Sequence, residues 1–289
     1  MKKNRIIITI IVLCAGLLIA TCDKPEKELT NIEFLNDLEQ AKSTAAAKGQ
    51  PLVIEFYEQE CPWSKLLDDS TFSHKIVIGM SEHMVFAKID ADEDTISARH
   101  FNVSFFPTIV VVNSDGNEVD RLVGYYPPAD FFNEIQLYLQ GNETLEDYQT
   151  RLADEPDNVD FHLIIAEKHK HRSSWDQALE YYGNVLKLGS EDYRFAMETA
   201  LLGTADTQCE KGDFSAALAS YTRFMELYPQ SDKAEDVARK IPYCLAKMGD
   251  YDRAGELFRE YLLDYPGSEY ADWVQGKIDN LKKVSLEGN

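Results

Sequence analysis

Cys61 is the side chain of this sequence best placed for covalent chemistry. An apolar run, Leu52-Val53-Ile54, reads as a buried strand, and Phe56 and Tyr57 continue it with types suited to a pleated surface. A polar turn, Glu58-Gln59-Glu60, leads to Cys61. Pro62 follows, at a position where a missing N–H costs a helix nothing. Cys61 therefore stands at the first turn of a helix, where unpaired N–H groups and the helix dipole favour an anion. The thiolate is the reactive form of cysteine, so the chemistry indicated is that of a sulfur nucleophile. The chain has five cysteines. Cys14 and Cys22 lie at the N-terminus, which leaves Cys61, Cys209 and Cys244 for the folded part and makes one thiol odd. Cys209 and Cys244 fall on helices of neighbouring repeats. A bridge needs Cα atoms within about 7 Å, and stacked helices usually lie farther apart, so both are expected as buried free thiols. His162, His169 and His171 show no ligand spacing with cysteine, so no metal is expected, and no cofactor is implied.

The elements that must hold Cys61 can be read around it. Helical periodicity covers 30–49, with Phe34, Leu35, Leu38 and Ala41 on one face and Gly49 and Pro51 as stop signals. Strand 52–57 precedes the cysteine. A helix over 62–69 follows it and continues as a second piece over 72–80. Strand 84–89, helix 93–101 and strand 107–112 come next. Asn113-Ser114-Asp115-Gly116 has hairpin-turn composition, strand 118–123 pairs back, and helix 128–140 ends at Gly141.

A strand followed by Cys61-Pro62-Trp63-Ser64 at a helix start resembles thioredoxin, with Ser64 where the second cysteine belongs. The order of elements over about 30–141 resembles that family too. The resemblance implies a buried carboxylate at Glu55, six residues before Cys61, and a lysine at Lys88 near the end of the next strand. It also implies a cis-proline at Pro107, facing the cysteine, within Phe106-Pro107-Thr108. Ser70-Thr71-Phe72 after the motif is most similar to the thioredoxin-like domain that ends the transmembrane reductant conduits of bacterial envelopes, which has two cysteines. On this resemblance Cys61, Ser64, Pro107 and Glu55 form the catalytic set, and Pro62, Trp63, Phe106 and Thr108 dock the substrate. Ser64 cannot attack a mixed disulfide, so Cys61 would be released by the partner's own second thiol or by a small thiol. The Ser64 hydroxyl could instead donate a hydrogen bond to the Cys61 thiolate. Glu55 assists proton transfer to the second cysteine in that family, a task that Ser64 partly removes.

Residues 1–22 read as an export signal. Lys2, Lys3 and Arg5 precede an apolar run over 6–20, short for a spanning helix. Its end, Ile19-Ala20-Thr21-Cys22, resembles a bacterial lipoprotein box, which implies a lipid on Cys22; Thr21 departs from the usual small residue. An uncleaved anchor and an ordinary cleaved signal are the other readings. Each takes the protein to the bacterial envelope, facing the periplasm, where disulfides are permitted. Residues 23–29 are a polar tether. With a formal charge of −21 over 289 residues and no basic stripe, nucleic acid is an unsuitable partner.

After Gly141-Asn142-Glu143-Thr144 the texture changes. One unit recurs around Ala178, Ala217 and Ala254, each with an aromatic four residues on: Tyr182, Tyr221 and Phe258. Two units close on Tyr-Pro, at Pro229 and Pro266. Small alanine lets helices approach and proline breaks the second helix of a pair. This looks like a tetratricopeptide array of slightly long period over 145–284, with a capping helix over 275–283. The fold class expected is a thioredoxin-like α/β domain at 30–141, then an all-α tetratricopeptide-type repeat array. The function expected is monothiol exchange on protein partners held by the repeats, anchored to the membrane at Cys22. A non-catalytic adaptor on the same scaffold is the alternative. Glutathione binding is suggested only by the single-cysteine pattern, and no residue marks a site for its carboxylates.

Overall fold

The computed structural model describes residues 29–287; Cys14, Cys22, the expected signal at 1–22 and most of the 23–29 tether lie outside the described residues. A five-stranded mixed sheet is ordered β1-β3-β2-β4-β5. Its strands are β1 (Phe34–Leu35), β2 (Leu52–Tyr57), β3 (Val85–Asp90), β4 (Thr108–Val112) and β5 (Glu118–Val123). β2 is central: it runs parallel to β3 with Glu55 opposite Lys88, and antiparallel to β4 with Phe56 opposite Thr108.

The unbroken apolar runs of β2 and β4 are explained by burial on both faces. Val53, Ile109 and Val111 pack to one side with Leu67, Phe72, Val77 and Phe131. Leu52, Ile54, Phe56, Val110 and Val112 pack to the other with Leu38, Ala41 and Phe101. Helices therefore cover both faces: α1 (Leu38–Lys48), α2 (Pro62–Leu66), α3 (Lys75–Met80), α4 (Thr95–His100) and α5 (Pro128–Leu139). At this level the α/β domain is the thioredoxin-like fold that the sequence implied.

Two elements differ from expectation. The helix expected over 30–49 begins only at Leu38, capped by Asp37, whose side chain accepts from Gln40 N at 2.7 Å. Phe34 and Leu35 instead form β1, paired with Phe86 and Ala87 of β3. The cap satisfies the first N–H groups of the helix, and the sheet edge offers upstream residues a backbone partner. After α2 the helix widens to a π-helical stretch, Leu67–Phe72, before α3. Ser70 Oγ donates to Leu66 O at 2.6 Å and Ser73 Oγ to Asp69 O at 2.8 Å, while Thr71 Oγ1 leaves the helix to bond Tyr126 O. Such hydroxyls compete with the backbone ladder and mark places where a helix bends.

From α6 (Leu145–Asp154) onward the described chain is helical: α7 (Val159–Lys170), α8 (Trp175–Leu188), α9 (Arg194–Glu210), α10 (Phe214–Leu227), α11 (Ala234–Lys247), α12 (Tyr251–Asp264) and α13 (Ala271–Glu287). The recurring alanines, Ala178, Ala217 and Ala254, are fully buried, as are Tyr182, Tyr221 and Phe258. Tyr182 donates to Glu167 and, at the matching place one unit on, Tyr221 Oη donates to Asp206 Oδ1 at 2.6 Å. Each buried phenol thus closes its own helix pair, since a buried hydroxyl without a partner is costly. Cys209 and Cys244 are free, but only Cys244 is fully buried; Cys209 is partly buried, packed against the cluster that holds Cys244. Both are free as expected, and the expected burial is corrected for Cys209 alone, which stands near the exposed end of α9.

Candidate functional site

Cys61 caps α2 in extended backbone, with φ −79° and ψ 113°, and its carbonyl accepts from Lys65 N at 3.2 Å. Pro62 is the first helical residue. Strand β2 delivers the cysteine and α2 carries the chain away. The thiol is half-buried and donates to Phe106 O at 3.5 Å, across the start of β4. The Phe106–Pro107 peptide bond is cis. Thr108 Oγ1 donates to Phe105 O at 2.7 Å, which holds that loop against the strand it opens. Cys61, Phe106, Pro107 and Thr108 are therefore gathered at one end of the sheet. Trp63 is 57% exposed beside them and offers an apolar face to solvent.

Ser64 is not where a partner to the thiol should be. It is 3% exposed and its Oγ has no hydrogen-bond partner. The hydrogen bond anticipated from Ser64 to the Cys61 sulfur is absent, because the first turn of α2 directs the serine inward and the cysteine outward.

Glu55 is 1% exposed in the middle of the sheet. Lys88, opposite it on β3, lies 3.1 Å from Glu55 Oε2, but its ammonium is aimed at Asp68 of the π-helical stretch. Glu55 thus receives charge without a well-aligned hydrogen bond, and both its oxygens lack a donor. Burial pushes its carboxyl up from 4.5 to about 7, with Lys88 only partly offsetting it. Burial opposes the Lys88 ammonium, yet the charges of Glu55 and Asp68 keep its pKa above the ordinary value. The result is a proton-holding carboxyl under the site, backed by a cation already committed elsewhere.

Sequence reasoning missed Asp68. It lies four residues after Ser64, so helical spacing alone places the two near each other on the segment that follows Cys61. It also missed Phe105, which packs edge-on against His171 and Trp175 of the repeat region. Ser104 Oγ and Ser173 Oγ lie 2.8 Å apart, and Ser173 Oγ donates to Asn102 O. The loop that faces Cys61 is therefore braced by the turn between α7 and α8. Nothing in the local sequence signals such a contact across the chain.

Comparison with known proteins bears on both halves. Residues 38–138 match the family described as thioredoxin-like domain. Residues 196–276 match the YfiO family, described as outer membrane lipoprotein. The α/β domain in the N-terminal part of the chain is thioredoxin-like. The thiol:disulfide interchange protein DsbD of Campylobacter jejuni is 25% identical over 114 residues, 38% of this chain and 20% of that protein. The DsbD of Klebsiella pneumoniae is 30% identical over 108 residues, 35% of this chain and 18% of that protein. The chain thus spans about a fifth of the length of the curated relatives it matches. Among solved structures, a thioredoxin from Thermus thermophilus aligns at a TM-score of 0.35 with 27% identity, covering 38% of this chain and 90% of that one. The DsbH oxidoreductase aligns at 0.35 with 14% identity, covering 39% and 88%.

Proposed function

We propose that this is a bacterial-envelope protein that exchanges disulfides through a single thiol, Cys61, on protein partners. The observation that carries the reading is the pairing of a solvent-reachable Cys61, set against the Phe106–Pro107 loop, with a buried serine three residues on. The Cys61 thiolate attacks a sulfur of a partner disulfide. The partner's S–S bond breaks, a Cys61–partner disulfide forms, and the other partner sulfur leaves as a thiolate. That thiolate, or another on the partner, then attacks the mixed disulfide and frees Cys61, so the partner's disulfide is rearranged with no net electron transfer. With a small thiol as the second attacker and a further one closing its disulfide, the partner is reduced and the small thiol oxidised. Ser64 takes no part in either route. Trp63, Pro62, Phe106 and Thr108 are the docking rim. Similarity to DsbD proteins over this half supports exchange chemistry.

The repeat half, over 145–284, is read as a tetratricopeptide-type array that holds the partner, joined to an exchange domain over 30–141. Its match to outer membrane lipoproteins supports an envelope location, and with it lipidation at Cys22 as the new N-terminus after removal of 1–21. The adaptor reading, in which both halves only bind, is favoured by the inward Ser64. Trapping separates the two. In cells, the wild-type chain should yield mixed disulfides that a reducing agent releases and that Cys61→Ala abolishes. Ser64→Cys should gain insulin-reducing activity in the presence of dithiothreitol where the wild type has little. Equal trapping by Cys61→Ala and the wild type would leave the adaptor reading in possession.

A further inference from the structure

The repeat half holds two thiols that exchange at Cys61 does not use. Cys209 stands near the end of α9 and Cys244 within α11, on first helices of neighbouring repeats. They share one packed cluster with Ala205, Tyr221 and Val237. Cys244 is fully buried there, whereas Cys209 keeps one side open on a cavity of about 690 Å³. The cavity is lined by both cations and anions, Lys170, Arg239 and Lys240 with Asp206 and Glu210, and it is reached by Phe105 from the loop beside Cys61. A space of this size suits a peptide-sized ligand. Both cysteines are free thiols. Interaction with Cys244 draws the Cys209 thiol below its ordinary pKa, while interaction with Cys209 and burial push Cys244 up. Reach and ionisation therefore agree on which sulfur meets a ligand first.

We propose that Cys209 and Cys244 form a second exchange site, independent of Cys61, which takes a peptide-sized disulfide from the groove and closes to a bond joining two repeats. The Cys209 thiolate attacks one sulfur of the incoming disulfide. That S–S bond breaks, one half leaves as a thiolate, and the other stays bonded to Cys209. Cys244 then loses its proton, attacks the Cys209 sulfur and expels the second half. The protein dithiol gives up two electrons and two protons, and the incoming disulfide is reduced to two thiols.

The test uses the full chain carrying Cys61→Ala, so its outcome does not depend on Cys61 being reactive. The chain is treated with oxidised glutathione under native conditions, and its peptides are mapped without reduction. The expected result is one linked pair of peptides containing Cys209 and Cys244, with both halves of the glutathione disulfide released. Adding Cys244→Ser should halt the reaction at a stable glutathione adduct on Cys209. Adding Cys209→Ser should leave the buried Cys244 unmodified. The proposal is overturned if the adduct on Cys209 persists while Cys244 is present. It is equally overturned if both thiols survive treatment and react only in denaturant. Because the decisive map is made with both cysteines intact, misfolding of a serine variant does not affect it.

Discussion

At the scale of single residues, the site is a division of labour between sulfur and carboxyl. Cys61 reaches solvent, and Glu55 lies sealed in the sheet beneath Lys88, whose ammonium turns to the partly exposed Asp68. The upward shift of Glu55 makes a prediction about stability. Below 4.5 the carboxyl is neutral in both folded and unfolded chains. From 4.5 to about 7 the unfolded chain ionises while the folded one keeps its proton. Folding stability should therefore fall across that window and level off above it, with a Glu55 contribution on the order of 3 kcal/mol. Urea denaturation of Glu55→Gln should show that slope flattened and the variant gaining most above neutrality; an unchanged slope would refute the assignment. Ser64 makes a second prediction. Its hydroxyl is buried without a partner, and an unmet buried hydroxyl costs about 1–3 kcal/mol. Ser64→Ala should thus be neutral or stabilising in thermal unfolding and should leave trapping at Cys61 unchanged.

At the scale of elements, the repeats are built on close approaches that the alanine pattern announces only in part. A Cβ added at Gly203 of α9 would sit 2.4 Å from the Tyr182 ring of α8. Tyr182 is itself fully buried and tied to Glu167 of α7. The ring cannot retreat without losing that bond. Gly203→Ala should cost about 1–3 kcal/mol by overpacking, read as a lower urea midpoint for loss of helical signal. Gly255, the neighbour of the recurring Ala254, meets only the far end of Arg259 at 3.4 Å. Gly255→Ala should therefore be tolerated, which separates overpacking from a general intolerance of helix substitution.

At the scale of the whole molecule, Asp120 joins the halves. This fully buried carboxylate of β5 accepts from Leu145 N at 2.7 Å, Arg121 N at 2.7 Å, Lys168 Nζ at 2.9 Å and Arg172 Nη2 at 2.6 Å. Burial would raise its pKa, but the Arg172 and Lys168 charges outweigh burial and hold it below the ordinary value. Its contribution is complete above the usual carboxylate range and is lost as pH falls below about 4. Asp120→Asn would leave two cations facing a neutral amide at the junction. The expected loss is about 3–5 kcal/mol, with proteolysis between the halves appearing before either half unfolds. Arg121 adds a bond to His171 O at 3.1 Å, and Phe105 packs on the same turn. The repeat half thereby fixes the loop that faces Cys61, so loosening this junction should also slow mixed-disulfide trapping at Cys61.

The sequence by itself determined the α/β order, the two-faced burial of β2 and β4, the position of Cys61 at a helix start and the helical texture of the second half. Those features depend on periodicity, on apolar runs and on the local chemistry of Gly, Pro and Asp, all of which act over a few residues. Only the tertiary structure decided that Phe34 and Leu35 join the sheet, that Ser64 turns inward, that Asp68 draws off Lys88, and that Cys209 and Cys244 share one packed cluster. Each of those outcomes depends on which distant surface arrives beside the residue. Polar groups pair with whatever packing brings within about 3 Å, and no local spacing in the chain encodes that arrival.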